Sequence, residues 1–246
     1  MALKLSNALA MISIVGYQFR KIRFQTKYID QSVIKFLELI RPLFDSNGTV
    51  LYIGASINTF ESRNWKILCR RIWPLFKDNI CGFRLHSSDL DSLRQISPTD
   101  NAAASSEQAL AKWLHTPRGD GLPKVLDCEF RFEGIEGLKR EFFKSTVPVN
   151  FIIHLWTFSS ADLAPFVLEN NLTGERLVVR YFGTFDPLLV RCPIERDEEK
   201  WAKWEKEAVE LDYGWDRLDI NFRDRYADYG PWYVFGSIFG ADFMNE

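Results

Sequence analysis

Ile40-Arg41-Pro42-Leu43-Phe44 recurs as Ile72-Trp73-Pro74-Leu75-Phe76, and each copy is followed by an asparagine, Asn47 or Asn79, and then a short apolar run. Ahead of the first copy, Val33, Phe36, Leu37, Ile40 and Phe44 fall at helical spacing. Asp30 stands where a helix N-cap belongs, because its carboxylate can accept from the first free backbone N–H groups. Ahead of the second, Trp65, Leu68, Cys69, Ile72 and Phe76 repeat the spacing. The proline in each copy lacks an N–H and predicts a helix stop there rather than a kink. Strands are expected at 19–24, 49–53 and 81–85. Strand, helix, strand, helix at a period of roughly 30 residues reads as a leucine-rich-repeat-like solenoid, each unit burying its apolar face on the next. The leucine-rich consensus itself is absent, so periodicity carries the reading.

Beyond the second copy the pattern loosens. Ser88 caps a short expected helix carrying Leu90, Leu93 and Ile96, and 97–104 is a loop of small and polar residues. A capping box, Ser105 to Gln108, opens a helix that buries Leu110, Trp113 and Leu114. A strand at 124–130, a helix marked by Ile135, Leu138 and Phe142, and a strand at 151–156 follow. The last is almost wholly apolar, as a strand covered on both faces would be. Residues 165–168 and 176–182 flank the turn Asn170-Asn171-Leu172-Thr173-Gly174-Glu175 and read as a hairpin. A strand at 188–192 precedes the clearest helix, 194–211, with an acidic first turn and an apolar stripe of Trp201, Trp204, Ala208 and Leu211. Glu199 with Lys203 and Lys203 with Glu207 are spaced for ion pairs along it. A final strand is expected at 218–222. The fold class is therefore α/β: irregular leucine-rich-repeat-like β/α repeats, then a C-terminal β-hairpin and long helix. The divisions are 1–27 (diverged segment and first strand), 28–160 (repeat-like), 161–225 (hairpin, strand and helix) and 226–246 (aromatic tail).

Composition narrows the function classes. The 246 residues carry a net charge of −2 and no clustered basic patch, so no nucleic-acid partner is expected. Aromatic residues reach 15%, with 20 Phe and 8 Trp, surface that belongs mostly to a core and in part to an interface. Cys69, Cys81, Cys128 and Cys192 are far apart and form no C-x-x-C pair, which favours free thiols in a reducing, intracellular compartment, cytoplasmic or nuclear. The apolar run 9–15 is too short to cross a bilayer and lacks a small-residue cleavage site; it reads as a buried first element or a diverged remnant. No membrane association is expected.

No catalytic constellation stands out. His86, His115 and His154 lie in different units, and none has a cysteine or carboxylate at ligand spacing. The dense carboxylates Glu195, Asp197, Glu198 and Glu199 fit a dipole-compensating helix start better than an acid/base pair. There is no G-x-S-x-G elbow, phosphate loop or H-E-x-x-H. Arg118-Gly119-Asp120, between Pro117 and Gly121, is turn chemistry. No metal and no cofactor are expected. The functional candidate is a protein-binding surface on and just after the repeat strands: Tyr52, Ser56, Arg84 and His86. Tyr52 and Arg84 are equally readable as hot spots or as ordinary solvent-facing strand residues.

Three blocks resemble a nematode F-box protein family, of the kind expanded in plant-parasitic cyst nematodes. They are Ala111-Lys112-Trp113-Leu114-His115-Thr116-Pro117-Arg118-Gly119-Asp120-Gly121-Leu122-Pro123-Lys124, Asn170-Asn171-Leu172-Thr173-Gly174-Glu175-Arg176-Leu177, and Leu189-Val190-Arg191-Cys192-Pro193-Ile194-Glu195-Arg196-Asp197-Glu198-Glu199-Lys200-Trp201. Residues 29–44 and 73–85 fit as well. The resemblance implies a non-catalytic substrate-recognition region; the preceding F-box would bind the linker subunit of a cullin-type ubiquitin ligase. Here only about 20 residues precede the first repeat strand, too few for an F-box, which spans several tens. Contact with the linker subunit is therefore expected only from a longer form carrying one. The loop 99–104 resembles a deletion, and the tail after Asp212 diverges. The alternatives left open are a free-standing binder or competitor unconnected to a ligase, and an enzyme with scattered catalytic groups.

Overall fold

The computed structural model describes residues 2–4, 8–15, 19–26, 29–44, 48–55, 67–86, 109–129, 132–156, 163–182, 186–210 and 216–222. Among these residues it is a mixed α/β fold built on one eleven-stranded sheet. In chain order the strands are β1 (Ala2–Lys4), β2 (Ala8–Val15), β3 (Phe19–Thr26), β4 (Thr49–Ala55), β5 (Ile80–His86), β6 (Lys124–Glu129), β7 (Phe151–Trp156), β8 (Val167–Asn170), β9 (Glu175–Phe182), β10 (Asp186–Pro193) and β11 (Asp216–Phe222). The helices are α1 (Gln31–Ile40), α2 (Trp73–Phe76), α3 (Ala109–Leu114), α4 (Phe132–Lys144) and α5 (Glu198–Val209).

The sheet runs β1-β2-β3-β11-β4-β5-β6-β7-β10-β9-β8. From β3 to β7 every neighbouring pair is parallel. The N-terminal strands and the β10-β9-β8 group pair antiparallel. Residues expected to form separate N-terminal, repeat and C-terminal regions thus share one sheet. The sequence pattern sets the strands at 19–24 and 49–53 side by side as successive units. Instead β11, which follows α5, lies between them and pairs with both. The pattern Leu218-Asp219-Ile220 matches the apolar-polar-apolar triplets of its neighbours, so it fits that slot without exposing an apolar side chain.

Helices α1 to α4 pack on one face. Val33, Leu37 and Ile40 of α1, Trp73 and Phe76 of α2, Trp113 and Leu114 of α3, and Leu138 and Phe142 of α4 meet Phe24, Leu51, Phe83, Leu126, Ile153 and Leu189 of the sheet. Aromatic rings stitch this layer: Trp73 stands edge-on to Phe83 and Trp113 at 5.7 and 5.9 Å. Helix α5 lies on the opposite face, where Trp201 and Ala208 cover Ile152, Leu188, Val190 and Cys192. Strand β7, between these layers, is buried from Phe151 to Leu155, as its apolar run requires.

Local differences from the sequence expectation have physical causes. Asp30 caps α1 as expected, accepting from the backbone N–H groups of Ser32 and Val33 at 2.9 and 3.0 Å. Arg41–Phe44 then tightens into a 3-10 turn containing Pro42. Pro74 lies in the last turn of its helical path, which ends at Phe76 as expected. A π-helical turn, Leu68–Ile72, precedes it, and the Trp73 N–H reaches back to the Leu68 carbonyl. Pro74 then sits in the first turn of α2, where its missing N–H costs no hydrogen bond. The C-terminal helix begins at Glu198, not at 194, because the Asp197 carboxylate caps it by accepting from the Lys200 N–H at 3.1 Å. Of the two expected ion pairs on it, Lys203–Glu207 forms, at 3.8 Å. The expected Ser88 helix, the capping box at 105–108, the loop 97–104 and the tail 226–246 lie outside the described residues.

Candidate binding surface

Six neighbouring strands carry the same local pattern, one polar residue between two apolar ones. These are Ile22-Arg23-Phe24, Leu218-Asp219-Ile220, Leu51-Tyr52-Ile53, Phe83-Arg84-Leu85, Leu126-Asp127-Cys128 and Ile153-His154-Leu155. In a strand, alternate residues face opposite sides, so apolar flanks committed to the helix layer send the central residue to the other face. Register then aligns the central residues: Arg23 opposite Asp219, Asp219 opposite Tyr52, Tyr52 opposite Arg84, Arg84 opposite Asp127, Asp127 opposite His154. A polar row crosses the sheet on the face turned from α1 to α4.

Two carboxylates anchor this row. Asp127 is fully buried and accepts from Arg84 Nε at 2.6 Å and Nη2 at 2.5 Å, with His154 Nδ1 at 3.7 Å. Asp219, 1% exposed, accepts from Arg217 and has Arg23 Nε at 3.5 Å and Lys21 Nζ at 4.0 Å. The Arg217 guanidinium also lies 4.7 Å from the centre of the Tyr52 ring, where a cation is attracted to the π face. A buried carboxylate is tolerable because charge-assisted hydrogen bonds replace its water. Removing one partner of such a pair typically costs about 3–5 kcal/mol.

Two of the sequence candidates fall on this row. Tyr52 is half-buried beneath Arg217. Arg84 is not a solvent-facing strand residue: its side chain is 11% exposed and committed to Asp127. His86 ends β5 in register with Gly54, two residues on from Arg84, and its side chain lies outside what is described. Ser56 lies outside the described residues. The sequence reading missed Arg23, Asp127, His154, Arg217 and Asp219. For all but Arg217, which follows Asp216 and lies outside the triplets, the signal was present there, a polar residue locked between apolar neighbours in a strand.

Other charged groups resolve into structural roles. The acidic segment 195–199 supplies the α5 cap through Asp197, while Glu198 serves arginines. Glu198 accepts from Arg196 Nε and Nη2 at 3.0 and 2.7 Å, and from Arg176. The Arg196 hydrogen bonds, helped by Arg176, hold its carboxyl down at about 2. Arg118 pairs with Asp120 across the Gly119 turn at 2.5 Å, so that tripeptide is closed on itself. Under the helix layer, Arg191 and Glu175 form a buried pair at 2.6 Å, each side chain 1% exposed. Close by, His115 stands edge-on to Phe151 at 5.9 Å, with Nε2 turned inward. Burial, reinforced by Arg191 and Lys124, lowers its pKa to about 4. Lys124 donates to the Trp113 and Thr116 carbonyls at the end of α3, and burial brings its ammonium down to about 8.

Among the described residues, no group of His, Cys, Asp or Glu could hold a metal ion, and no helix is long and apolar enough to cross a membrane. Compared with known proteins, the chain matches no family model, no curated protein and no solved structure.

Proposed function

We propose that this chain is a non-catalytic protein-binding module, akin to the substrate-recognition region of an F-box ubiquitin-ligase adaptor, and that the polar row takes part in binding. In this reading β4 to β7 with their crossovers are stacked β/α units of leucine-rich-repeat-like kind, whose aligned strands present a surface. The observation that carries it is the row itself: six adjacent strands each place a polar side chain at one level, on the face away from the main helix layer. Arg23, 21% exposed, and half-buried Tyr52 are the members a partner would touch, while Asp127 and Asp219 hold the arginines in place. Arginine and tyrosine are enriched at hot spots because they offer large contact area with a polar tip. The partner is a protein, met in the cytoplasm or nucleus. Two buried free thiols, Cys81 and Cys192, support a reducing compartment.

Affinity capture with the full chain, run in parallel with Arg23→Glu and Tyr52→Ala, tests this reading. A partner retained by the wild type and lost from both variants is the expected result. Recovery of the ligase linker subunit alongside that partner supports the adaptor form, and recovery without it supports a free-standing binder. Identical partners for all three proteins would sink the surface assignment.

A second reading rests on one contact. The Asp127–His154 pair, at 3.7 Å, could orient an imidazole for proton transfer. An enzymatic role would require a turnover that His154→Gln abolishes in a protein that circular dichroism shows to be folded.

A further inference from the structure

Helix α5 differs from the other helices in what holds it to the sheet. Helices α1 to α4 share one large core, whereas α5 packs on a small separate cluster formed by Ile152, Val178, Leu188, Val190 and Cys192. Three residues of α5 are buried, Trp201, Glu205 and Ala208, and one of them is a carboxylate. Trp204 and Val209 are only partly buried at the rim. An element with few buried apolar contacts opens at a lower free energy than the core it rests on.

Charge supplies much of the remaining attachment. From β9, Arg176 donates to Glu198 Oε1, and Arg180 Nη1 stands 3.8 Å from Glu198 and 3.7 Å from Glu205. Arg196, in the segment leading into α5, forks onto Glu198 at 3.0 and 2.7 Å and donates to Glu205 at 2.9 Å. Its guanidinium also lies 5.0 Å from the centre of the Trp201 ring, which fixes the fork that turns Glu198 toward Arg176. Glu198 is the shared acceptor, and its side chain is 59% exposed. Water and salt therefore reach the carboxylate that ties β9 to the first turn of α5. Beneath the helix, Cys192 is fully buried, its sulfur 3.4 Å from Arg196 Nη1. The end of β10 is pinned separately, because the Ile194 N–H donates to the Gly174 carbonyl at 2.9 Å.

We infer that α5 is a cover that lifts from the sheet while the main core stays folded, and that the clasp between Glu198 and the β9 arginines holds it shut. The pivot is the segment from Ile194 to the Asp197 cap, so β10 keeps its place when the helix moves. What the lift uncovers is the Cys192 thiol and the apolar strip of Ile152, Leu188 and Val190. A lone surface ion pair would contribute little, but a bidentate fork inside a network of five charged groups holds its geometry and adds to docking. Because the clasp is exposed, ionic strength controls it. At about 1 M salt the screening length falls to roughly 3 Å, comparable with the spacing of the pairs.

Pulsed alkylation of the full chain with iodoacetamide, read thiol by thiol by peptide mass spectrometry, tests the inference. Each rate is divided by that of the same thiol in the urea-unfolded chain. Cys192 reports the lifting of α5, and Cys81, buried on β5 in a cluster to which α5 does not contribute, reports opening of the sheet. In low salt Cys192 should react at least about tenfold faster than Cys81. Glu198→Gln, at an exposed position, should raise the Cys192 rate about fivefold and leave Cys81 unchanged. Raising sodium chloride to about 1 M should speed Cys192 in the wild type and much less in Glu198→Gln. Arg180→Gln, also at an exposed position, weakens the clasp independently from the sheet side. Equal rates for Cys192 and Cys81 in the wild type would overturn the inference, since α5 would then open only with the sheet. A Cys192 rate indifferent to salt and to both substitutions would overturn the clasp.

Discussion

Asp127 and Glu175 meet the same problem on opposite faces of the sheet: a carboxylate without water. Each is held by an arginine from a neighbouring strand, Arg84 and Arg191, within 2.6 Å. Neither pair was readable beforehand, because the partners stand 43 and 16 residues apart and only register brings them together. What the sequence did carry was the isolated polar residue inside an apolar strand, and such a residue needs a partner. His115 poses the complementary case, a titratable group kept neutral by burial. Its folded pKa, about 4, lies below the ordinary 6.5, so between these values the unfolded chain binds the proton and the folded chain does not. Stability is then fully present above pH 6.5 and is lost as pH falls toward 4, by up to about 3 kcal/mol for a shift of this size. In His115→Leu the unfolding free energy should fall less steeply across that window. Urea denaturation of both proteins at pH 7, 5.5 and 4.5 checks this, and parallel pH profiles would show that His115 does not carry the effect.

At the scale of elements, what could be read was what local chemistry decides. Helix α1 follows from Asp30, Val33, Phe36, Leu37 and Ile40, and the structure places the cap at Asp30 and the apolar stripe against the sheet. Removing that cap leaves the Ser32 and Val33 N–H groups without their acceptor. Asp30→Ala is expected to cost about 1 kcal/mol. Asp30→Asn should recover most of it, and a midpoint shift in urea with an unchanged slope is the measurement. The strands and the β8–β9 hairpin were equally legible, the hairpin because Gly174 takes a positive φ of 67° in its turn. The stop after Pro74 was legible and the π turn before it was not, because a proline signals a lost hydrogen bond but does not say how the chain absorbs it. Here the π turn shifts the ladder by one residue and the helical path continues. The start of α5 was misplaced for another reason: several acidic residues compete for the cap, and arginines, Arg196 nearby and Arg176 from β9, recruit Glu198 while Asp197 takes the N–H.

The order of strands across the whole molecule was the least legible feature, because strand neighbours are chosen by the folded ensemble and not by the local pattern. β3, β4 and β11 carry interchangeable triplets, so periodicity alone favours the two that are closer in sequence. The structure inserts the later one, and the consequence is mechanical. Within the sheet, β1, β2 and β3 reach the remaining strands through β11, whose Leu218 and Ile220 are fully buried in the main core. The N-terminal strands should therefore open together with β11, as a unit less stable than the β6, β7 and β10 group, which is covered from both faces. Leu218→Ala removes a fully buried side chain and should cost about 2–5 kcal/mol locally. Native-state hydrogen exchange separates a local effect from a global one. Amides of β3 and β11 should lose protection in step, while those of β7 and β10 keep theirs as long as the protein stays folded. If β3 remains protected when β11 is weakened, the N-terminal strands have another attachment. If β7 and β10 lose protection equally, the sheet opens as a single cooperative body and β11 is no more critical than any other buried strand.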